Sequence, residues 1–165
     1  MRREILFRGK PKCEADYYAF FQNWKDFCID GFAIGSLVVH KDRYYICVSA
    51  ICQMNSCINN GITSMIEVIP ETVGQFTELT AYWETQDEIY ESKVFEHDVL
   101  KVNYEGTEVL AEVKYERGIC ILCSYEFPDS YVQLFDYVRL EDECWLDASV
   151  VGNVHNNSEL KDKVR

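Results

Sequence analysis

The chain has 165 residues, with 28 acidic against 16 basic side chains and a formal net charge of −12. That balance excludes a broad nucleic-acid footprint, which needs clustered cations, and it favours solubility or a basic partner. At 48% hydrophobic and 14% aromatic the chain can fill a sizeable core, so disorder is not its overall state.

The first twelve residues hold five cations, Arg2, Arg3, Arg8, Lys10 and Lys12, against the single acid Glu4. Such an arm is suited to docking on an acidic surface, its own or a neighbour's, or to remaining a solvated terminus. Residues 4–7 read as a short strand. Between residues 15 and 28, Tyr17, Phe20, Phe21, Trp24, Phe27 and Cys28 recur at spacings of three and four, which predicts one aromatic face of a helix. Asp16 or Glu14 is its start signal and Gly31 its stop. Residues 32–39 and 43–51 form a predicted hairpin turning at His40-Lys41-Asp42. Residues 53–61 are a polar loop, and 62–69 the next strand, ended by Pro70, which lacks a donor N–H. Residues 71–74 read as a turn and 75–79 as a resumed strand.

Residues 84–98 carry Glu84, Asp87, Glu88, Glu91, Glu96 and Asp98, with apolar residues at neither helical nor strand period. They read as a surface excursion or a short irregular helix. From Val99 the pattern is cleaner. A strand runs to Val102 and a turn follows at Asn103-Tyr104-Glu105-Gly106. Val109, Ala111, Val113 and Tyr115 then alternate with Glu108, Leu110, Glu112, Lys114 and Glu116, predicting a core face and a mostly charged outer face. After the turn at Glu116-Arg117-Gly118, alternation resumes through Ile119, Ile121, Cys123, Tyr125 and Phe127. This three-strand meander suits a small barrel or a strongly bent sheet. Residues 131–140 fit no single type, 141–143 are an acidic loop, and 145–154 read as a short strand into the tail. Ser158 is placed to cap a last helical turn over 159–163, and the end is expected to fray.

Four blocks carry a resemblance. They are Met1-Arg2-Arg3-Glu4-Ile5-Leu6-Phe7-Arg8-Gly9-Lys10, Phe32-Ala33-Ile34-Gly35-Ser36-Leu37, Val68-Ile69-Pro70-Glu71-Thr72-Val73-Gly74-Gln75-Phe76-Thr77 and Val151-Gly152-Asn153-Val154-His155-Asn156-Asn157-Ser158-Glu159-Leu160. In this order they resemble the YopX family of phage and prophage proteins. The chain departs from the family pattern at Glu78-Leu79, where Gly-Leu is usual, and at Phe95-Glu96-His97-Asp98, where His97 replaces a glycine. Two apparent insertions, roughly 11–30 and 80–93, interrupt it. The resemblance implies a small, mainly β protein of phage origin with an SH3-like barrel and no particular activity.

Candidate chemistry is sparse. Cys120 and Cys123 sit three apart on an alternating strand, where they face opposite sides, and no second pair with zinc spacing accompanies them. Cys52 and Cys57 flank a loop. With no secretory signal in view, the eight cysteines are expected to be reduced thiols. His40, His97 and His155 each fall near a predicted turn and read as solvated. His97-Asp98 is a base beside an acid, yet strand neighbours point apart. Ser124, Ser130 and Ser149 lack a nucleophile-elbow context, and Glu96 with Asp98 reads as solvated surface.

The expected fold is mainly β. An SH3-like barrel region is expected over residues 74–165 and an N-terminal β-hairpin lobe with one short aromatic-rich helix over 1–73, either as two lobes or as one compact domain overall. No catalytic, cofactor-binding or metal residues and no cofactor are expected. No apolar run is long enough to span a bilayer, so a cytoplasmic protein of the bacterial host is expected. The expected role is non-catalytic, a phage or prophage accessory that binds a protein partner or further copies of itself, with no membrane target and with nucleic-acid binding confined at most to the basic arm, where Arg2, Arg3, Arg8 and Lys10 would have to converge on one patch. Two rivals stay open: an acidic nucleic-acid mimic that blocks a basic protein, and an enzyme or metal site not signalled by any motif.

Overall fold

The computed structural model describes residues 5–12, 28–50, 62–84, 89–138 and 145–164. They form thirteen strands and one α-helix among them, in two compact units that divide between Gln75 and Phe76. The expected aromatic helix at 15–28 falls mostly outside the described residues, as do Arg2, Arg3, the 53–61 loop and the acidic 141–143 loop.

In the first unit, β1 (Phe7–Gly9) is followed by β2 (Cys28–Ile29), β3 (Phe32–His40), β4 (Arg43–Ala50), β5 (Ile62–Val68) and a 3₁₀ turn at Pro70–Thr72, before β6 (Gly74–Glu84) begins. All the pairings here are antiparallel, and β1 lies between β3 and the start of β6. Gly31, expected to stop a helix, instead makes a two-residue turn with Asp30, both at positive φ. Lys41-Asp42 (φ 49° and 60°), Glu105-Gly106 and Arg117-Gly118 repeat that conformation. Such turns match the right-handed twist of the strands they join. Leu37, Ile46 and Ile66 stand in register across three strands and so share one face. With Ala33 and Val68 they make the core of this unit. Gly35 sits where β3 passes from β1 to β4, and a Cβ there would land on the carbonyl oxygen of Cys47.

The Val68–Thr77 block explains itself locally. Pro70 opens the 3₁₀ turn, where its missing N–H costs nothing. The buried Thr72 hydroxyl donates to the Ile69 carbonyl (2.7 Å) and accepts the Lys10 N–H (2.8 Å). The described part of the basic arm is thereby fastened to its own unit. Arg8 is buried with its guanidinium 4.8 Å from the Phe32 ring centroid. Lys12 pairs with Glu67 at 2.8 Å, and that hydrogen bond holds the Glu67 carboxyl below its ordinary range.

The second unit continues β6 and adds β7 (Ile89–Phe95), β8 (Asp98–Tyr104), β9 (Thr107–Glu116), β10 (Ile119–Cys123), β11 (Tyr131–Gln133), a 3₁₀ turn at Leu134–Tyr137, β12 (Trp145–Asp147), β13 (Ser149–Asn153) and α1 (Ser158–Val164). One sheet runs β11–β10–β9–β8–β13; in the other, β6 is flanked by β7 and, in parallel, by β12. The main core lies between them, with Leu79, Ala81, Val94 and Leu146 against Leu100, Val102, Ala111, Val113 and Leu122. The protein is mainly β, as expected. Among the described residues no ladder joins β11 to β13, so the five strands are not closed into a barrel by hydrogen bonds.

Several expectations are corrected here. In the acidic stretch 84–98, expected as a surface excursion or short irregular helix, the described residues 89–95 are instead the return strand β7 of a hairpin with β6, and Asp98 opens β8. Glu91, Ser92 and Lys93 are all exposed, so neither face carried an apolar alternation to read. Residues 145–154 are two strands, broken at Ala148, on different sheets. The tail does not fray, because Leu160 and Val164, one helical turn apart, bury against Val99, Val154 and Leu110 on the far face of the five-stranded sheet. Each such burial contributes roughly 1.5–3 kcal/mol. That covering also buries Glu112, which alternation had assigned to an exposed charged face.

Candidate functional site

β13 runs antiparallel to β8 with Asn153 opposite Asp98. The residues that follow β13 therefore lie beside those that precede β8, and two sequence blocks far apart in the chain meet. Asp98, only 2% exposed, accepts the Phe95 N–H (2.9 Å) and an Asn153 amide hydrogen (3.4 Å). Asn153 Oδ1 accepts the His155 N–H (2.9 Å), and Asn157 Oδ1 accepts the Asn153 N–H (3.2 Å). Gly152 makes room for this: a Cβ there would lie 2.5 Å from Asn157 Oδ1. The His97 N–H donates to the Val113 carbonyl (2.8 Å), and the His97 carbonyl accepts from Val154 (3.1 Å).

Side chains extend the cluster. His97 Nδ1 approaches Glu112 Oε1 at 3.3 Å, and Lys114 Nζ lies 3.6 Å from Glu112 Oε2. Glu112 is 2% exposed, and a buried carboxylate is tolerable only with such partners. The His97 and His155 rings meet edge to face, centroids 4.8 Å apart. These two histidines were expected to be solvated and separate. They do lie at turns, but the β8–β13 pairing brings them together, and His97 pairs with Glu112 rather than with its neighbour Asp98. Glu112, Asn153 and Asn157 were not read as partners in the sequence. The only signal was that Asn153 and Asn157 belong to the closing block. The groups of this cluster are aimed at one another, and the arrangement clasps the 153–157 turn onto the sheet.

The two places where glycine is usual in the resembled pattern both keep glycine-like backbone. Glu78 has φ 70° and His97 φ 71°. Glu78 lies in an irregular part of the β6–β7 ladder between Phe76 and Thr80. There the Thr77 hydroxyl donates to the Val94 carbonyl (2.8 Å) and accepts the Leu79 N–H (3.3 Å).

The remaining candidates are dispersed. Cys47, Cys120 and Cys123 are free thiols, while Cys52 and Cys57 lie outside the described residues. Burial pushes the Cys120 thiol up, helped by Glu96 and Glu78. Burial does the same for Cys123, partly offset by Lys114. Both are thereby poor nucleophiles, since the thiolate is the reactive form. Ser124 is buried and serves a turn, its Oγ accepting the Glu126 N–H at 3.3 Å. Ser149 is buried in β13, whereas Ser130 and His40 are exposed. Among the described residues no three His, Cys, Asp or Glu side chains are placed to hold a metal ion.

A second feature faces outward. β10 stops at Cys123, so the alternation expected to run on through Tyr125 and Phe127 ends there. Residues 124–130 close on themselves, with Ser124 N–H donating to the Ser130 carbonyl (3.1 Å) and Ser130 N–H to the Phe127 carbonyl (3.0 Å). Phe127 is buried against Tyr104, centroids 5.1 Å apart, and Leu134 anchors the following 3₁₀ turn. With those two inside, Tyr125 (60% exposed), Tyr131 (51%) and Phe135 (61%) are turned to solvent. The exposed acids Glu126, Asp129 and Asp136 stand among them, and residues 124–138 contain no lysine or arginine. Exposed aromatic side chains on a backbone held by buried neighbours are typical of contact surfaces. Residues 131–140 fitted no single type in the sequence, so which of these rings face out was not legible there.

A family model described as YopX protein matches residues 39–161. The matched span takes in the Val68–Thr77 and Val151–Leu160 blocks and everything that builds the clasp. No curated protein and no solved structure shows a match.

Proposed function

The chain belongs to the YopX family, and on that premise we propose that it is a non-catalytic accessory protein of phage or prophage origin that acts by binding another protein. The observation that carries this reading is the outward set Tyr125, Tyr131 and Phe135, held by buried Phe127 and Leu134. Rigid aromatic side chains supply contact area at low entropic cost. The scaffold reading is an SH3-like one. It is supported by the strand order β13–β8–β9–β10–β11, in which a meander is followed by a 3₁₀ turn and a last strand returning to pair with the first. SH3-like barrels often present loops to partners, an argument by analogy of fold. Among the described residues no helix is long and apolar enough to cross a membrane.

The test is capture from induced host cells with the full chain as bait, beside a Tyr125→Ser/Tyr131→Ser/Phe135→Ser variant. One protein recovered specifically by the wild type and lost with the variant, at unchanged thermal midpoint, is the expected result. Recovery that ignores the substitutions would count against it. A second reading, an acidic mimic of nucleic acid, draws on the net charge of −12. It requires binding that collapses steeply with salt and depends on carboxylates spread over the surface rather than on the three aromatics.

A further inference from the structure

We infer that the surface formed by residues 124–136 takes a cationic, arginine-bearing segment of the partner protein. This rests on the protein-binding reading above and gives that binding its chemistry.

Three exposed aromatic side chains, Tyr125, Tyr131 and Phe135, and three exposed carboxylates, Glu126, Asp129 and Asp136, lie within residues 125–136, a stretch without lysine or arginine. A ring face attracts a cation through its quadrupole, and a carboxylate beside it completes the charge. The planar guanidinium satisfies both at once: it stacks on an aromatic face and bonds a carboxylate through two parallel N–H groups, which an ammonium cannot do. The surface is also set in advance. Ser124 and Ser130 tie the loop ends by backbone hydrogen bonds, and Phe127 and Leu134 are buried beneath it. Little ordering is left for binding to bring about.

Charge separates this occupant from the others. Phosphate backbones and anionic lipid surfaces are repelled by Glu126, Asp129 and Asp136. A second copy, with a net charge of −12, meets the same repulsion at this patch. A neutral apolar segment would satisfy the rings and leave three carboxylates to be desolvated for nothing.

The experiment selects a ribosome-displayed library of random dodecapeptides on the immobilised full-length protein. The best peptides are then resynthesised, with each arginine replaced by glutamine or by lysine, and titrated by calorimetry. Selected peptides enriched in arginine are expected, and arginine-to-glutamine replacement should weaken binding by about tenfold or more. Lysine should restore part of the loss. Neutralising the protein side with Glu126→Gln/Asp129→Asn/Asp136→Asn should weaken the parent peptide comparably and leave the glutamine peptide unaffected. Peptides without arginine enrichment, or ones that bind the neutralised protein as well as the wild type, overturn the inference. A cellular partner that needs the three aromatics but not the three carboxylates also overturns it, while leaving protein binding intact. A partner indifferent to the aromatics removes the broader reading.

Discussion

Glu78 and His97 share one backbone conformation and make opposite forecasts for the same substitution. A side chain at left-handed φ costs roughly 1–2 kcal/mol relative to glycine, against which glycine loses about 0.4–1 kcal/mol through its freer unfolded chain. At Glu78 (φ 70°) the side chain is exposed, so an ion pair there is worth a few tenths of a kcal/mol or about 1 at most. Glu78→Gly should therefore stabilise the second unit by about 0.5 kcal/mol, or raise its midpoint by roughly 2–4 °C. At His97 (φ 71°) the same relief is available but the ring contacts are lost. Removing the partner 3.3 Å from a carboxylate that is 2% exposed costs about 1–3 kcal/mol. Losing the edge-to-face contact with His155 costs roughly 0.5–1.5 kcal/mol more. His97→Gly should destabilise by about 1–3 kcal/mol net. Urea unfolding followed by tryptophan fluorescence reads both, since two of the three tryptophans, Trp83 and Trp145, lie in this unit. Midpoints that shift in opposite directions at constant slope support the reasoning. Two glycines that shift it the same way would refute it, because backbone strain and side-chain contacts would then not be separable as argued.

Three further outcomes follow from the same packing. Leu160→Ala opens a hole beside Val99 and Val164 and should cost about 2–4 kcal/mol, with amide protons of α1 exchanging much faster in hydrogen-exchange measurements. Glu112→Gln removes the charge that His97 and Lys114 face. It should destabilise by about 1–3 kcal/mol, read as a lower urea midpoint with the unfolding slope unchanged. Burial raises the Cys120 and Cys123 thiols, so the native state holds their protons more tightly than the unfolded chain. Stability should fall as pH climbs past the ordinary thiol range, and mass-mapped alkylation of both should be slower in the native protein than in urea.

What could be read from the sequence was what is local. The two-residue turns at Lys41-Asp42 and Arg117-Gly118, the alternation of Val109, Ala111 and Val113, and Pro70 as a strand exit all depend on neighbours within a few residues. The misses depend on distant partners. β7 was unreadable because Glu91, Ser92 and Lys93 are exposed on both faces. Glu112 looked like surface because its cover, α1 and the 153–157 turn, lies about forty residues on, and pairing rather than periodicity brings it back. The clasp was half visible: Gly152 to Asn157 fall in the closing block of the resemblance, but His97, Asp98 and Glu112 lie outside the four blocks, and only the Asp98–Asn153 register brings them together. Keeping positive φ at Glu78 and His97 was equally illegible, since a side chain in place of glycine argues locally for a different turn.

The central claim is that binding resides in the outward aromatic surface, while the buried polar clasp serves the fold. The most direct test runs the cellular capture with three forms of the full chain side by side: wild type, Tyr125→Ser/Tyr131→Ser/Phe135→Ser, and Glu112→Gln, at a temperature where all three are folded. The account predicts recovery of the partner by the wild type and by Glu112→Gln, and its loss with the triple variant. Recovery that survives the triple substitution and disappears with Glu112→Gln would contradict it and move the functional site to the His97–Glu112–His155 cluster.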